Sequence, residues 1–251
     1  MSRHLYILLL SCIAGLAMAA EPLSPVLSAN DAYRAADYHK AVTLYEQALR
    51  RGESAEAYYN LGNAYYRIDN IPKALLCYER ANKMRPLDGD ILHNMEIARG
   101  KTADKMPPES EPFFMDWLRW VLSLMTIQGW AYTALASLVV AMLLFLAYLF
   151  MDSLTIRRCS FYLSMLLLLC CAAGNLFAWQ RMRILTTHDT AIVMAETAQV
   201  KASPTPKAPD ACVIHEGTKV RITDHDISDW YGIRLPDGRE GWIRRGDLDL
   251  I

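Results

Sequence analysis

Few residues in this 251-residue chain combine type and spacing in a way that does chemistry. Three acid and histidine groupings stand out: His188-Asp189, His215-Glu216 and Asp224-His225-Asp226. Metal binding needs ligands that converge, and neighbours on a strand point to alternate faces, so three adjacent residues do not close on one ion. A solvated loop is the better account of 224–226. The six cysteines show no CxxC and no Cys/His metal spacing. No phosphate-cradling loop, GxGxxG, HExxH or GxSxG occurs. The chain is therefore expected to be non-enzymatic, with no catalytic, cofactor-binding or metal-binding residue and no cofactor.

What positions the remaining polar residues is set by hydropathy. With 26 Lys+Arg against 27 Asp+Glu, the chain carries no basic field of the kind nucleic-acid binders use. From Val121 to Met151, and again from Cys159 to Gln180, there is no charged residue. About 20 helical residues cross a ~30 Å hydrocarbon core, so the two runs read as a membrane hairpin. Its spans are placed at 130–151 and 159–180, with a cytoplasmic loop at 152–158 and an interfacial aromatic segment at 113–129. The spans hold no Asp, Glu, Lys, Arg or His, which argues against an ion or proton pathway.

Residues 1–19 read as a signal peptide: Arg3 and His4, an apolar stretch from Leu5 to Leu16, then Ala17-Met18-Ala19 before the cleavage point. A lipoprotein site at Cys12 and an uncleaved anchor are the rival readings. An exported leader puts both ends of the hairpin outside. Arg157 and Arg158 in the loop agree with the positive-inside tendency. The expected location is a bacterial inner membrane, multi-pass, with the segments on either flank of the hairpin in the periplasm.

Residues 22–88 repeat at about 34 residues, within an array placed at 22–100. The clearer copy carries Tyr58, Leu61, Gly62, Tyr65, Ala74, Tyr78, Ala81 and Pro86. Small residues at 62 and 74 let two antiparallel helices approach, and Tyr65 and Tyr78 fill the space between them. Asn70 is placed to cap the second helix, with Pro72 in its first turn. An earlier copy repeats Ala29, Ala41, Tyr45 and Ala48, and a closing half-unit covers 90–99. The spacing is that of the tetratricopeptide repeat (TPR), an all-α array. In such arrays the first helix of each pair lines a concave groove, which here would present Asn30, Arg34, Tyr59, Asn60, Asn63, Arg67, His93 and Asn94. Amides hold an extended peptide backbone and guanidiniums pair with carboxylates. Val26 and Ile97 stand where a carboxylate-clamp array has basic residues, which argues against recognition of a peptide C-terminus. Residues 101–112, charged and Pro-containing, read as a linker.

Residues 188–251 change to short strands, five or six of them, with Pro236-Asp237-Gly238 as a tight hairpin. Gly217, Trp230, Tyr231, Gly238, Gly241 and Trp242 lie in an order that resembles the bacterial SH3-like domain, a small all-β barrel. Trp242 is expected in its core, with Trp230 and Tyr231 on opposite faces. A Cys77–Cys212 disulfide is open on sequence grounds.

The order of leader, TPR array, Pro-containing linker, membrane hairpin and SH3-like barrel resembles the BatE-type proteins of the Bacteroides aerotolerance operon. Further points of resemblance are the run Thr102 to Met106, and Pro112-Phe113-Phe114 with Trp117 before the first span. The resemblance implies a non-catalytic envelope protein working beside von Willebrand A-type membrane proteins and a MoxR-type AAA+ ATPase, in oxygen or envelope stress. Binding or sensing of peptidoglycan through the barrel is the alternative.

Overall fold

The computed structural model describes residues 25–106, 114–225, 227 and 229–251. The signal peptide assigned to 1–19, the linker stretch 107–112 and Asp226 lie outside the described residues. Five helices form the array: α1 (Pro25–Arg34), α2 (Tyr38–Leu49), α3 (Ala55–Arg67), α4 (Ile71–Met84) and α5 (Gly89–Arg99). Each start after the first is fixed by a side-chain cap that accepts from an otherwise unpaired N–H. Asp37 takes Lys40 N, Ser54 takes Ala57 N, Asn70 takes Lys73 N, and Asp88 takes Asp90 N and Ile91 N. Ala36 and Asp69, at φ 60°, turn the chain between the helices of each pair.

The array core is made of alanines and tyrosines. Ala41, Ala74 and Ala81 are fully buried, and Tyr45 and Tyr78 nearly so. Gly62 is required by contact: a Cβ there would stand 2.7 Å from two ring carbons of Tyr78. Tyr78 could fill the gap between α3 and α4 only because position 62 leaves room for its ring.

Three further helices follow: α6 (Phe114–Ser123), α7 (Ile127–Phe150) and α8 (Leu154–Thr186). The last two are long and apolar enough to cross a membrane, with mean hydropathies of 2.4 and 1.9, and little of either is buried by the protein itself. They pack through small residues. Ala134, Ser137 and Ala141 of α7 and Ser160, Ser164 and Gly174 of α8 are buried, and Ser164 Oγ donates to Ala141 O at 3.0 Å.

The helix limits differ from the spans drawn on charge. Only Met151 to Ser153 separate α7 and α8, where a loop over 152–158 was expected. Charged residues do not end a helix: Arg157, early in α8, folds back to donate to Tyr148 O at 3.2 Å, with its guanidinium 5.4 Å from the Tyr148 ring centre. Likewise α8 continues beyond position 180 through Arg181 and Arg183. Its 33 residues make about 50 Å, more than a bilayer core needs, so its end rises to the array. On the other side, the segment expected to be interfacial is broken by a bend at 124–126, and α7 begins at Ile127 with Thr126 as its cap.

The C-terminal module is one antiparallel sheet in the order β3-β2-β6-β5-β4-β1-β7. Its strands are β1 (Thr190–Val193), β2 (Thr197–Lys201), β3 (Asp210–His215), β4 (Lys219–Asp224), β5 (Trp230–Arg234), β6 (Glu240–Arg244) and β7 (Leu248–Leu250). Its core is Ala191, Val193, Val200, Ile214, Val220, Ile222, Ile233 and Ile243 with their neighbours. Seven strands stand where five or six were expected. The protein is thus an all-α array, an apolar helical hairpin and a small all-β module.

Candidate interaction surfaces

The side chains expected in the concave groove are organised as a hydrogen-bonded ladder. Asn30 Oδ1 accepts from Tyr45 Oη and, at 3.3 Å, from Asn60 Nδ2. Asn63 Oδ1 accepts from Tyr78 Oη at 2.8 Å and from Asn94 Nδ2 at 2.8 Å, and Asn94 Nδ2 also donates to Tyr59 Oη at 2.9 Å. One row of amides therefore runs from α1 across α3 to α5, anchored on two buried tyrosines. Burial first, then neighbouring phenols, push the Tyr78 hydroxyl well above its ordinary range, and burial lifts Tyr45 to about 12. Both stay protonated donors, which orients each acceptor oxygen inward and leaves Asn30 Nδ2 and Asn63 Nδ2 without partners among the described residues.

Arg67 lies one turn beyond Asn63 on α3. Its Nε donates to Tyr33 Oη at 3.5 Å, and its guanidinium stands 5.9 Å from the Tyr38 ring centre. Arg34 turns instead to Asp31, at 3.6 Å in solvent, and His93 is exposed on α5. Neither joins the ladder. Tyr33 and Tyr38 were not singled out in the sequence, although Tyr33 recurs as Tyr66 one repeat later.

A second surface joins the array to the sheet. Glu79, on the outer side of α4, is 5% exposed. It accepts from Arg99 Nη2 at 2.6 Å and from Lys219 Nζ, on β4, at 2.8 Å. Burial pushes this carboxyl up, but the two cations outweigh burial and hold it below its ordinary range. Arg80 Nη2 donates to Leu250 O at 2.6 Å, and Lys83 Nζ to Thr187 O at 2.6 Å and Ile251 O at 3.0 Å. Leu76, Ile192 and Ile251 form a small apolar cluster of their own between the two modules.

The segment read as a linker takes part in this joint as far as it is described. Asp104 accepts from His215 N at 2.7 Å and from Thr218 Oγ1 at 2.7 Å, and its other oxygen lies 3.0 Å from His215 Nδ1. Its burial raises the carboxyl, and these hydrogen bonds more than reverse that, leaving it below its ordinary range. Met106 packs against the core of the sheet. Residues 101–106 were expected to be a spacer because they have no apolar period; besides Met106, their hold on the sheet is polar and goes from Asp104 to residues more than 100 positions away. Gly217 sits at the same joint with φ +80°, and a Cβ on it would stand 2.6 Å from Thr102 Cγ2 and 3.2 Å from Leu75 Cδ1.

The third surface belongs to the sheet alone. Trp230 is 6% exposed and Tyr231, its neighbour, half-buried. Arg245 lies 4.5 Å from the Tyr231 ring centre, with His225 against the ring edge at 5.5 Å. Trp242 is half-exposed where a core position was expected; Trp230 is buried on the same face with Arg244 5.8 Å from its ring centre, and Tyr231 is the aromatic that packs against the core. Gly241 packs on Val200, and Gly238 turns the β5–β6 hairpin at φ +88°. His188 Nδ1 lies 2.9 Å from Ile251 O. His188 and His215 thus both make structural contacts. Cys77 is a buried thiol and Cys212 a half-buried one, and both are free.

Residues 26–88 match the tetratricopeptide repeat family and residues 196–249 the bacterial SH3 domain family. No curated protein matches the chain. Both matched modules are of kinds that mediate protein–protein interaction, and the second kind also binds cell-wall material. The two apolar helices between them associate the chain with a membrane.

Proposed function

We propose that this chain is a non-catalytic, membrane-anchored scaffold of the bacterial cell envelope. The observation that carries the reading is the joint at Glu79, Asp104 and Gly217. It fixes the outer side of the array to the sheet and leaves the amide ladder on the other side open to a partner. A hairpin that enters and leaves on the same side of a membrane is the connection such a joint requires, since both modules must share a compartment. With an exported leader that compartment is the periplasm and the membrane the inner one.

The ladder fits an extended polypeptide. The amide nitrogens of Asn30 and Asn63, without partners among the described residues, can donate to backbone carbonyls, and Arg67, one turn beyond Asn63, suits an acidic side chain. The BatE resemblance supplies the expected setting: von Willebrand A-type membrane proteins and a MoxR-type ATPase as partners, in tolerance of oxygen or envelope stress. In vivo photocrosslinking from positions 59 and 67 tests this. Capture of an envelope protein at both, lost when Asn94 is replaced by Ala, is the expected result; no capture from either position removes the groove.

A second reading rests on Tyr231 and Arg245, an aromatic and cationic pair suited to peptidoglycan. Full-length protein in detergent should then pellet with purified sacculi, and Tyr231→Ala should abolish this. Failure to pellet ends the cell-wall reading and leaves the scaffold reading standing.

A further inference from the structure

The array-side end of the hairpin holds two hydrogen-bond donors for which the described residues supply no sufficient acceptor. Arg181 is 8% exposed. Its Nη2 donates to Met84 O at 2.6 Å, and among the described residues no carboxylate pairs with it. A guanidinium has five donors and a full charge, and burying it against one neutral carbonyl leaves most of its lost hydration unreplaced. Trp130 Nε1 is buried and has no partner among the described residues.

These two groups lie at one end of the same helix pair. The Trp130 ring meets Phe177 at 5.0 Å, edge to face. Gly174 faces Ala134 and the Trp130 carbonyl, where a Cβ would stand at 3.2 and 3.3 Å. Gly174, Phe177 and Arg181 follow one another at helical spacing, so Arg181 is one turn beyond the Trp130 contact. Trp130 is also in the first turn of α7, whose N-terminus adds partial positive charge. Trp179, with Arg183 5.8 Å from its ring centre, marks the depth at which a membrane surface would lie.

We propose that Arg181 and the indole N–H of Trp130 bind the phosphate of a phospholipid headgroup. The site rests on the reading of α7 and α8 as membrane-spanning. A phosphate supplies both the missing acceptors and the missing negative charge, and the tails of a lipid would lie along the exposed apolar sides of the hairpin. Because Arg181 also holds the carbonyl at the end of α4, a bound headgroup would fix the height of the array above the bilayer.

The test uses the full chain in detergent, with bound lipid counted by native mass spectrometry. Delipidated protein is offered phosphatidylglycerol, diacylglycerol with the same tails, or inorganic phosphate. Phosphatidylglycerol should bind about tenfold better than either, and Arg181→Gln and Trp130→Phe should each cost about tenfold, while Arg183→Gln binds as wild type. Trp130→Phe leaves the Met84 contact untouched, so its loss is not a consequence of disturbing the array. Equal binding of diacylglycerol, an equal loss in Arg183→Gln, or no loss in Trp130→Phe would overturn the site. Inorganic phosphate binding as tightly as the lipid would make it a free-anion site and overturn the lipid assignment. Release of the wild-type chain from membranes by alkaline extraction would remove the spanning reading itself. A chain that resists extraction but shows no headgroup preference removes only this site.

Discussion

Glu79 and Lys219 are 140 positions apart, on a helix of the array and a strand of the sheet, yet their side chains meet at 2.8 Å. Glu79 is almost wholly buried, while Lys219 and the second partner, Arg99, are each nearly half exposed. The three groups are therefore unequal. Removing a cation leaves a buried carboxylate half-compensated; removing the carboxylate frees two cations that water can reach. Lys219→Ala should lower the unfolding free energy by about 1–3 kcal/mol, and Glu79→Gln by less. Chemical denaturation of the full chain in detergent measures both; the reverse order would contradict this assignment of burial.

Acid should loosen the same joint. Glu79 and Asp104 both sit below their ordinary values of 4.5 and 3.8. A carboxylate with a depressed folded pKa stabilises above its unfolded value, and that contribution disappears as pH falls through the folded one. Melting followed by circular dichroism should therefore be flat from neutrality down to about pH 5 and decline below about pH 4. Asp104→Asn should melt lower at neutral pH and show a shallower acid decline. A parallel curve for the variant would place the acid sensitivity elsewhere.

Cys77 should be chemically silent. Burial raises its thiol to about 12 from an ordinary 9.0, so the thiolate fraction falls about a thousandfold before access is considered. A maleimide should label Cys212 in the native protein and reach Cys77 only on unfolding. Mass spectrometry of unreduced peptides should find no Cys77–Cys212 bridge.

Two glycines should resist even alanine for different reasons. Gly62→Ala pushes against the Tyr78 ring and should cost the array about 1–3 kcal/mol. Gly217→Ala meets Thr102 and also strains a positive φ, so it should open the joint. Faster tryptic cleavage at Lys101 and Lys105, with the array's helicity retained, is the expected sign of the second change.

The array was legible because its packing demands small residues at fixed places: Gly62, Ala74 and Ala81 can be recognised before any contact is known. The sheet was less so. β3 follows a Pro-rich loop and lies at the end of the strand order, and Ala211 to Ile214 are all apolar although half of the strand is exposed, so Asp210–His215 shows no clean alternation. β7 has only three residues. The groove positions could be named from helix spacing, but not that Asn30 and Asn63 are each bound to a tyrosine, since that depends on the partner helix. The joint left no sequence signal. Glu79, Asp104, Thr218 and Lys219 are ordinary polar residues whose meaning comes from contacts between distant segments, and Gly217 was read only as part of the SH3-like motif.

Both modules lying on one side of the membrane, docked through the outer side of α4, is the claim on which the rest depends. Arg80 and Asp249 line one cleft at that joint, about 380 Å³ in volume. With both replaced by Cys, a short bis-maleimide applied to intact cells should join the two positions within one chain, and Lys219→Ala should reduce the yield. Labelling of positions 80 and 249 from opposite sides of the membrane, with no intramolecular product, would contradict the account.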